Sequence, residues 1–478
     1  MAFTDRLHNR GSISTGYDID NSLKVQANDG NEWFYRNNPT AGNRRTFTFS
    51  FWMKRTQLDG YQADNYLMSQ GSNQRFHFAG HTLRFMFDGG STELEASGRL
   101  RDTAAWYHIV IAVDTTQATA ANRVKAYVNG ETYEWNNTKY PSQNAQSGWM
   151  NTSDLYFNTR DGDGSYDNSG YWAEVAVIDG TQYAASDFGE FDSDSGIWKP
   201  KDFSEDITFG SEGFYLKFDD ATDLGNDSSG NNNDATLNNI TSADQATDTP
   251  TNNFCTLNPL AVAENGGGNV SITEGGTKGK TLQQDEPAVG TMVVTQGKWY
   301  LECQAVTTSD IMAGWGVPGF WGDHTANPGN DDYSFAVHNI GRVYYYGNQF
   351  IDFSPSVSFD TTDIVSMALD ADNGFCYWAK NGTWMNGGVP TSGSTGTGGF
   401  NYLSGSTGTN LKIVDGDFLQ PAFRVNYTTN NGIRLNFGGY TTISISSAES
   451  DGNGYGTFEY APPTGFYSMC TKNLAEFG

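Results

Sequence analysis

The chain has 478 residues and a formal charge of −27, from 28 Lys and Arg against 55 Asp and Glu. Such a surface repels phosphate backbones and no basic stripe offsets it, which excludes nucleic-acid binding. No stretch approaches the roughly 20 apolar residues that span a bilayer, and the start M-A-F-T-D-R-L-H-N-R-G has no apolar signal-peptide core. The expectation is therefore neither membrane insertion nor secretion.

Thirty Phe, 25 Tyr and 12 Trp, with 56 Gly and many Asn, Asp, Ser and Thr, describe short strands joined by tight turns. The expected class is all-β, and the length calls for two or three domains.

Residues 1–16 are polar and aperiodic and read as an N-terminal arm. In T-F-T-F-S-F-W-M-K (Thr46 to Lys54), Phe47, Phe49 and Phe51 alternate with Thr48, Ser50 and Trp52. That period predicts a strand with a core on one side and another surface on the other. W-Y-H-I-V-I-A-V-D (Trp106 to Asp114) and R-V-K-A-Y-V-N-G-E (Arg123 to Glu131) form the next pair. Asn129-Gly130 there supplies the positive φ values of a two-residue type I′ turn. W-A-E-V-A-V-I (Trp172 to Ile178) is a further strand ending in Asp179-Gly180.

In Asp161-Gly-Asp163-Gly-Ser-Tyr-Asp167, oxygen ligands alternate with glycines as in the first half of a calcium loop, but the closing Glu is missing. Asp161, Asp163 and Asp167 are the candidate calcium ligands, with a polar turn as the plainer reading. Calcium is the only cofactor the chain points to. His77 and His81 in F-H-F-A-G-H sit on a strand, where i,i+4 spacing does not align two ligands.

Ala243 to Leu260 contains P-T-N-N-F-C-T-L-N-P-L, and the chain ends with P-P-T-G-F-Y-S-M-C-T-K-N-L. This echo brackets the second half and predicts that its first and last strands lie side by side. Pairing would bring Cys255 and Cys470 within reach of a disulfide. Cys303 and Cys376 sit within predicted strands and read as buried thiols.

The order of F-T-F-S-F-W-M-K, W-Y-H-I-V-I-A-V-D, R-V-K-A-Y-V-N-G-E and Y-W-A-E-V-A-V-I-D-G resembles laminin-G-like, concanavalin-A-like jelly rolls. The second half resembles a SPRY-type sandwich through G-K-W-Y-L-E-C, A-G-W-G-V, D-I-V-S-M-A-L-D, Asn381-Gly382 and L-N-F-G, with Thr362-Asp363-Ile364 departing from the usual entry turn. The expected architecture is two tandem antiparallel β-sandwiches. Their boundaries are 17–240 for the laminin-G/concanavalin-A-like unit, 241–259 for a linker and 260–478 for the SPRY-like unit.

The bracketing phrases, with F-G-E-F-D-S-D-S-G-I-W-K-P-K, resemble segments of virion proteins of tailed phages of aquatic bacteria. The resemblance implies a non-enzymatic tail-fibre, appendage or capsid-decoration protein at the virion surface. Its arm would dock on other virion proteins, its sandwiches would present loops to host-surface glycans, and it would form a homo-oligomer, a trimer being one form. The alternatives are a free soluble lectin and a polysaccharide depolymerase. Trp315, Trp321, Tyr344 and Tyr346 are the candidate sugar-stacking residues, with core packing as the competing reading.

No catalytic residue is expected. Glu190-Phe-Asp192-Ser-Asp194 begins like a glycosidase carboxylate strand but has Ser195 where the second Glu belongs. Gly387 to Gly399 is a loop insertion lacking the Lys and helix of a phosphate cradle.

Overall fold

The computed structural model describes residues 16–27, 31–58, 64–71, 73–89, 92–137, 139–261, 270–281, 287–306, 311–319, 327–347, 349–353, 357–403, 411–424 and 432–478. The expected N-terminal arm falls almost wholly outside them. The fold is all-β, with antiparallel sheets in two compact units that divide between Asn252 and Asn253.

The first unit begins with β1 (Ser22–Val25), β2 (Trp33–Arg36), β3 (Thr46–Arg55), β4 (Asp64–Gln70), β5 (Gln74–Ala79), β6 (Thr82–Asp88), β7 (Thr92–Glu95), β8 (Trp106–Asp114) and β9 (Val124–Val128). It continues with β10 (Glu131–Thr132), β11 (Leu155–Phe157), β12 (Gly170–Asp179), β13 (Gly189–Phe191), β14 (Trp198–Pro200), β15 (Phe214–Leu216), β16 (Thr236–Asn238) and β17 (Gln245–Ala246). One sheet runs β10-β9-β8-β3-β12-β1-β17, with β15 also on β12; the other runs β16-β2-β11-β4-β5-β6-β7. Asn129 and Gly130 take φ of 49° and 82° in the two-residue turn between β9 and β10, as the Asn-Gly pair predicts.

Between the sheets, Phe47, Phe49 and Phe51 of β3 and Ile109, Ile111 and Val113 of β8 meet Phe34, Phe76, Phe85 and Phe157 of the second sheet. Each such side chain stabilises the fold by about 1.5–3 kcal/mol through burial. The alternate residues of the first sheet are buried too. Phe188, Phe203, Ile207 and Phe209, from the loops after β12, pack over Val110, Ala176 and Ile178. His108 is stacked between Trp52 (4.8 Å) and Trp198 (5.9 Å). Its Nδ1 accepts from Trp198 Nε1 at 3.1 Å, and burial holds its pKa down at about 3. This added layer is why β8 and β12 read as almost unbroken apolar runs.

The stretch expected as a linker, 241–259, divides between the units. Asp244 reaches Lys24 (2.8 Å) and Asp248 reaches Lys54 (2.7 Å), so 241–252 is bound into the first sandwich.

In the second unit a nine-stranded and a six-stranded sheet enclose a core of Trp299, Leu301, Trp315, Phe335, Val365, Met367 and Trp378. The echoing phrases do pair: Phe254 bridges Cys470, and Cys255 N–H donates to the Met469 carbonyl at 2.9 Å. The disulfide expectation is corrected, because all four cysteines are buried thiols. Cys470 pairs with Phe254, so Cys255 is one residue out of register and its side chain leaves the opposite face. Its sulfur lies 3.8 Å from Thr291 Oγ1, and that of Cys470 lies 3.6 Å from Ser468 Oγ. The short helix α1 (Thr471–Phe477) that follows was not anticipated from the sequence.

Candidate functional site

Directly paired residues of an antiparallel sheet share a face. On the outer face of the first unit's second sheet, Tyr35 pairs with Tyr156, Tyr156 with Ser69, and Ser69 with Arg75. Alongside, Tyr66 pairs with His77, His77 with Arg84, and Arg84 with Glu95. The face therefore has an aromatic half on β2 and β11 and an ion-paired half on β5, β6 and β7.

In the aromatic half Trp33, Tyr35 and Tyr156 form a closed triad with ring centroids 5.3–5.6 Å apart, all three partly exposed. Tyr66 extends it, 5.6 Å from His77 and 5.4 Å from Tyr166. In the charged half Arg84 pairs with Glu95 at 3.0 Å, and Arg75 lies 3.9 Å from Glu93 and donates to Tyr66 OH at 3.2 Å.

His77 lies at the centre, wholly buried, 3.6 Å from Asp64 and 4.0 Å from Glu93. Burial, reinforced by the charges of Arg75 and Arg84, pushes it down to about 3, so the ring is neutral. Neither of its nitrogens has a protein hydrogen-bond partner, and the same is true of Arg75 Nε, Arg84 Nε, His81 Nδ1 and Glu93 Oε1. Each such group costs about 1–3 kcal/mol unless something satisfies it. Orphaned donors and acceptors side by side suit a hydroxyl, which serves as both.

Two depressions open here. The larger, about 450 Å³, is lined by residues including Asp64, His81, Arg84, Glu95, Arg99 and Asn136. The smaller, about 140 Å³, includes Tyr66, Arg75, Arg160 and Asp161.

The residues singled out from the sequence fare differently. Trp315 is corrected: it pairs with Phe335 and Pro421, is fully buried in the second unit's core, and has no face to offer a sugar. Trp321 lies outside the described residues. Tyr344 is half-buried, 5.5 Å from His338 and 5.7 Å from the exposed Phe350. Tyr346 does not share its face, because the strand ends at Tyr345. At Tyr346 φ turns to 39° and the ring packs against the core.

The calcium loop is not assembled. Asp163 is taken by Arg160 (2.7 Å) and Ser165, and among the described residues no three His, Cys, Asp or Glu side chains come together as a metal group. Asp167 is instead a buried carboxyl; burial pushes it up to about 7 against the opposing hydrogen bond of Thr159, and the charge of Asp163 adds to the rise.

That shift has a definite sign. The folded-state pKa lies above the unfolded value of about 3.9, so the native state keeps a proton the unfolded chain has lost. The penalty grows as pH rises and is complete above about pH 7. Asp167→Asn should therefore stabilise the first unit relative to wild type by an amount that grows by on the order of 4 kcal/mol between pH 4 and 8. Urea unfolding of both proteins at the two pH values measures it; a constant difference would show that Asp167 is not held protonated.

A family match agrees with this geometry at the level of fold. Residues 28–184 match the family profile Laminin_G_3, the Concanavalin A-like lectin/glucanases superfamily. The match takes in every strand of the site sheet except β16.

Among solved structures, similar chains include stonustoxin (14% identity, 38% of this chain, 27% of that chain, TM-score 0.27). Another is the TRIM65 PSpry domain (13% identity, 38% of this chain, 91% of that chain, TM-score 0.27). A third, from Bacteroides ovatus ATCC 8483, is described as a "putative carbohydrate binding protein" (16% identity, 47% of this chain, 60% of that chain, TM-score 0.33). The chain thus spans about a quarter of stonustoxin and 60% of the Bacteroides protein. No curated protein matches the chain.

The aromatic and ion-paired face was not picked out from the sequence. Its signal was the polar alternation Arg75, His77, Ala79 in R-F-H-F-A and Glu93, Glu95 in T-E-L-E, beside Trp33 and Tyr35 in W-F-Y-R. Each segment alone reads as an ordinary half-buried strand. Only the pairing register joins them.

Proposed function

We propose that the protein is a non-enzymatic glycan-binding protein whose site is the outer face of the first unit's second sheet. The observation that carries the reading is the row of unpartnered polar groups around buried His77, set beside the Trp33–Tyr35–Tyr156 triad. Sugar rings offer apolar C–H faces to aromatic rings and hydroxyls to the orphaned donors and acceptors. The match to a lectin and glucanase superfamily supports the same class.

A binder is favoured over a hydrolase by the state of the two carboxylates that share this face on one strand. Glu95 is held by Arg84 at 3.0 Å and Glu93 lies 3.9 Å from Arg75, so both face a guanidinium, which suits ligand positioning better than proton donation. Display on a phage particle, with docking to other virion proteins, homo-oligomerisation and attachment to host-surface glycan, is proposed from the sequence resemblance alone. Antibody labelling of intact particles tests it.

The binding reading is tested by applying the full chain to a glycan array that includes bacterial surface polysaccharides. Saturable binding, with no release of reducing ends, is expected. Failure to bind any glycan above background would overturn the proposal, and reducing-end release would replace the binder with an enzyme.

A further inference from the structure

We infer that the larger depression on this face takes the acidic group of a charged glycan, a sugar carboxylate or a sulfate ester. The inference deepens the glycan reading above and rests on it.

The turn between β5 and β6 and the segment after β7 bring His81, Arg84 and Arg99 to one depression, with Ser97 and Asn136 as neutral hydrogen-bonding neighbours. Arg101 lies two residues beyond Arg99 and is exposed. The charged residues lining it balance, Arg84 and Arg99 against Asp64 and Glu95, and the neighbouring Arg101 tips the surroundings positive on a chain whose overall charge is −27. The charges felt by His81 bear this out: after burial, the groups that lower its proton affinity are Arg55, Arg101 and Arg99.

The hydrogen-bond inventory points the same way. Among the residues lining the depression, His81 Nδ1 and Arg84 Nε have no protein partner. A neutral imidazole brings one donor, and guanidinium nitrogens bring only donors. Arg84 already gives its Nη2 to Glu95 at 3.0 Å, which holds the guanidinium, while its buried Nε has no partner. Arg84 Nε is thus an unmet donor, from which an oxyanion accepts more strongly than a hydroxyl does. Asp64 and Glu95, which line the same depression, can accept from neighbouring sugar hydroxyls. Planar carboxylate and tetrahedral sulfate share the chemistry, since both accept forked bonds from arginine.

The test measures binding of the full chain to two matched pairs at low and high salt: polygalacturonate against its methyl ester, and κ-carrageenan against its desulfated form. At low salt at least one acidic member should bind about tenfold more tightly than its neutral partner, with the preference shrinking at high salt. The pair that shows the preference identifies carboxylate or sulfate. In the variant Arg99→Gln/Arg101→Gln, both changes lying on exposed residues, the preference should fall below about twofold. Equal binding of acidic and neutral partners, or a preference that survives the double change, overturns the inference. If neutral glycans bind as tightly as their acidic partners, the glycan reading stands while the acidic one falls; binding to no glycan in either experiment sinks both.

Discussion

Asp248→Ala should lower the unfolding free energy of the first unit by about 3–5 kcal/mol, the cost of stranding one half of a buried ion pair. Asp248 Oδ2 lies 2.7 Å from Lys54 Nζ, with the two side chains 1% and 0% exposed. The other carboxylate oxygen accepts from Trp106 Nε1 at 3.0 Å, and the Asp248 carbonyl accepts from Ser22 Oγ at 2.6 Å. Removing the carboxylate leaves an ammonium buried beneath the sheet without its countercharge, and desolvation is then uncompensated. Urea unfolding followed by tryptophan fluorescence measures the loss. The double change Lys54→Met/Asp248→Leu should recover most of it, because an apolar pair of similar volume carries no desolvation cost. A loss below about 1 kcal/mol for Asp248→Ala would mean that water reaches the pair. The same experiment tests whether 241–252 is part of the first fold, since a true linker would contribute nothing.

Trp33→Ala/Tyr156→Ala should weaken binding of whatever glycan the chain takes by about a hundredfold, on the order of 2.7 kcal/mol. The triad puts three rings within 5.3–5.6 Å of one another on a face made by β2 and β11. Removing two of them takes away the apolar platform while leaving Phe34 and Phe157, the core residues of the same strands, stacked at 4.8 Å. Thermal unfolding should therefore change much less than affinity does. Isothermal titration with wild type, the double variant and Tyr344→Ala separates the possible sites. A change under threefold in the double variant would remove the platform from the mechanism, and a large loss from Tyr344→Ala would move the site to the second unit.

The candidate site was legible only in fragments. His77 and His81 were visible as a pair, but a strand gives i,i+4 residues no common ligand, and nothing local shows that His77 would be roofed by Tyr66, Arg75 and Arg84. The aromatics that stood out in the sequence were the dense clusters of the second half. Trp315 and Tyr345 proved to be core, because a strand between two others in a sandwich turns alternate large residues inward. Trp33 and Tyr35 are more than 100 residues from Tyr156, and so the triad carried no local signal. Asp161, Asp163 and Asp167 had calcium spacing, but Arg160, at the head of the same loop, competes for Asp163.

What the sequence determined by itself was the strand chemistry. Period-two aromatics in β3, the Asn129-Gly130 turn and the unbroken apolar run of β8 are local preferences, and local preferences survive into the fold. The echo of Cys-Thr-x-Asn phrases likewise foretold the pairing of Phe254 with Cys470. Tertiary structure decided which surfaces remain open. The layer of Phe188, Phe203, Ile207 and Phe209 buries one sheet on both sides, while cross-strand register gathers dispersed rings and guanidiniums on the outer face of the other. Register is a long-range property, fixed by which hydrophobic faces must meet, and so the site exists only once both sheets are in place.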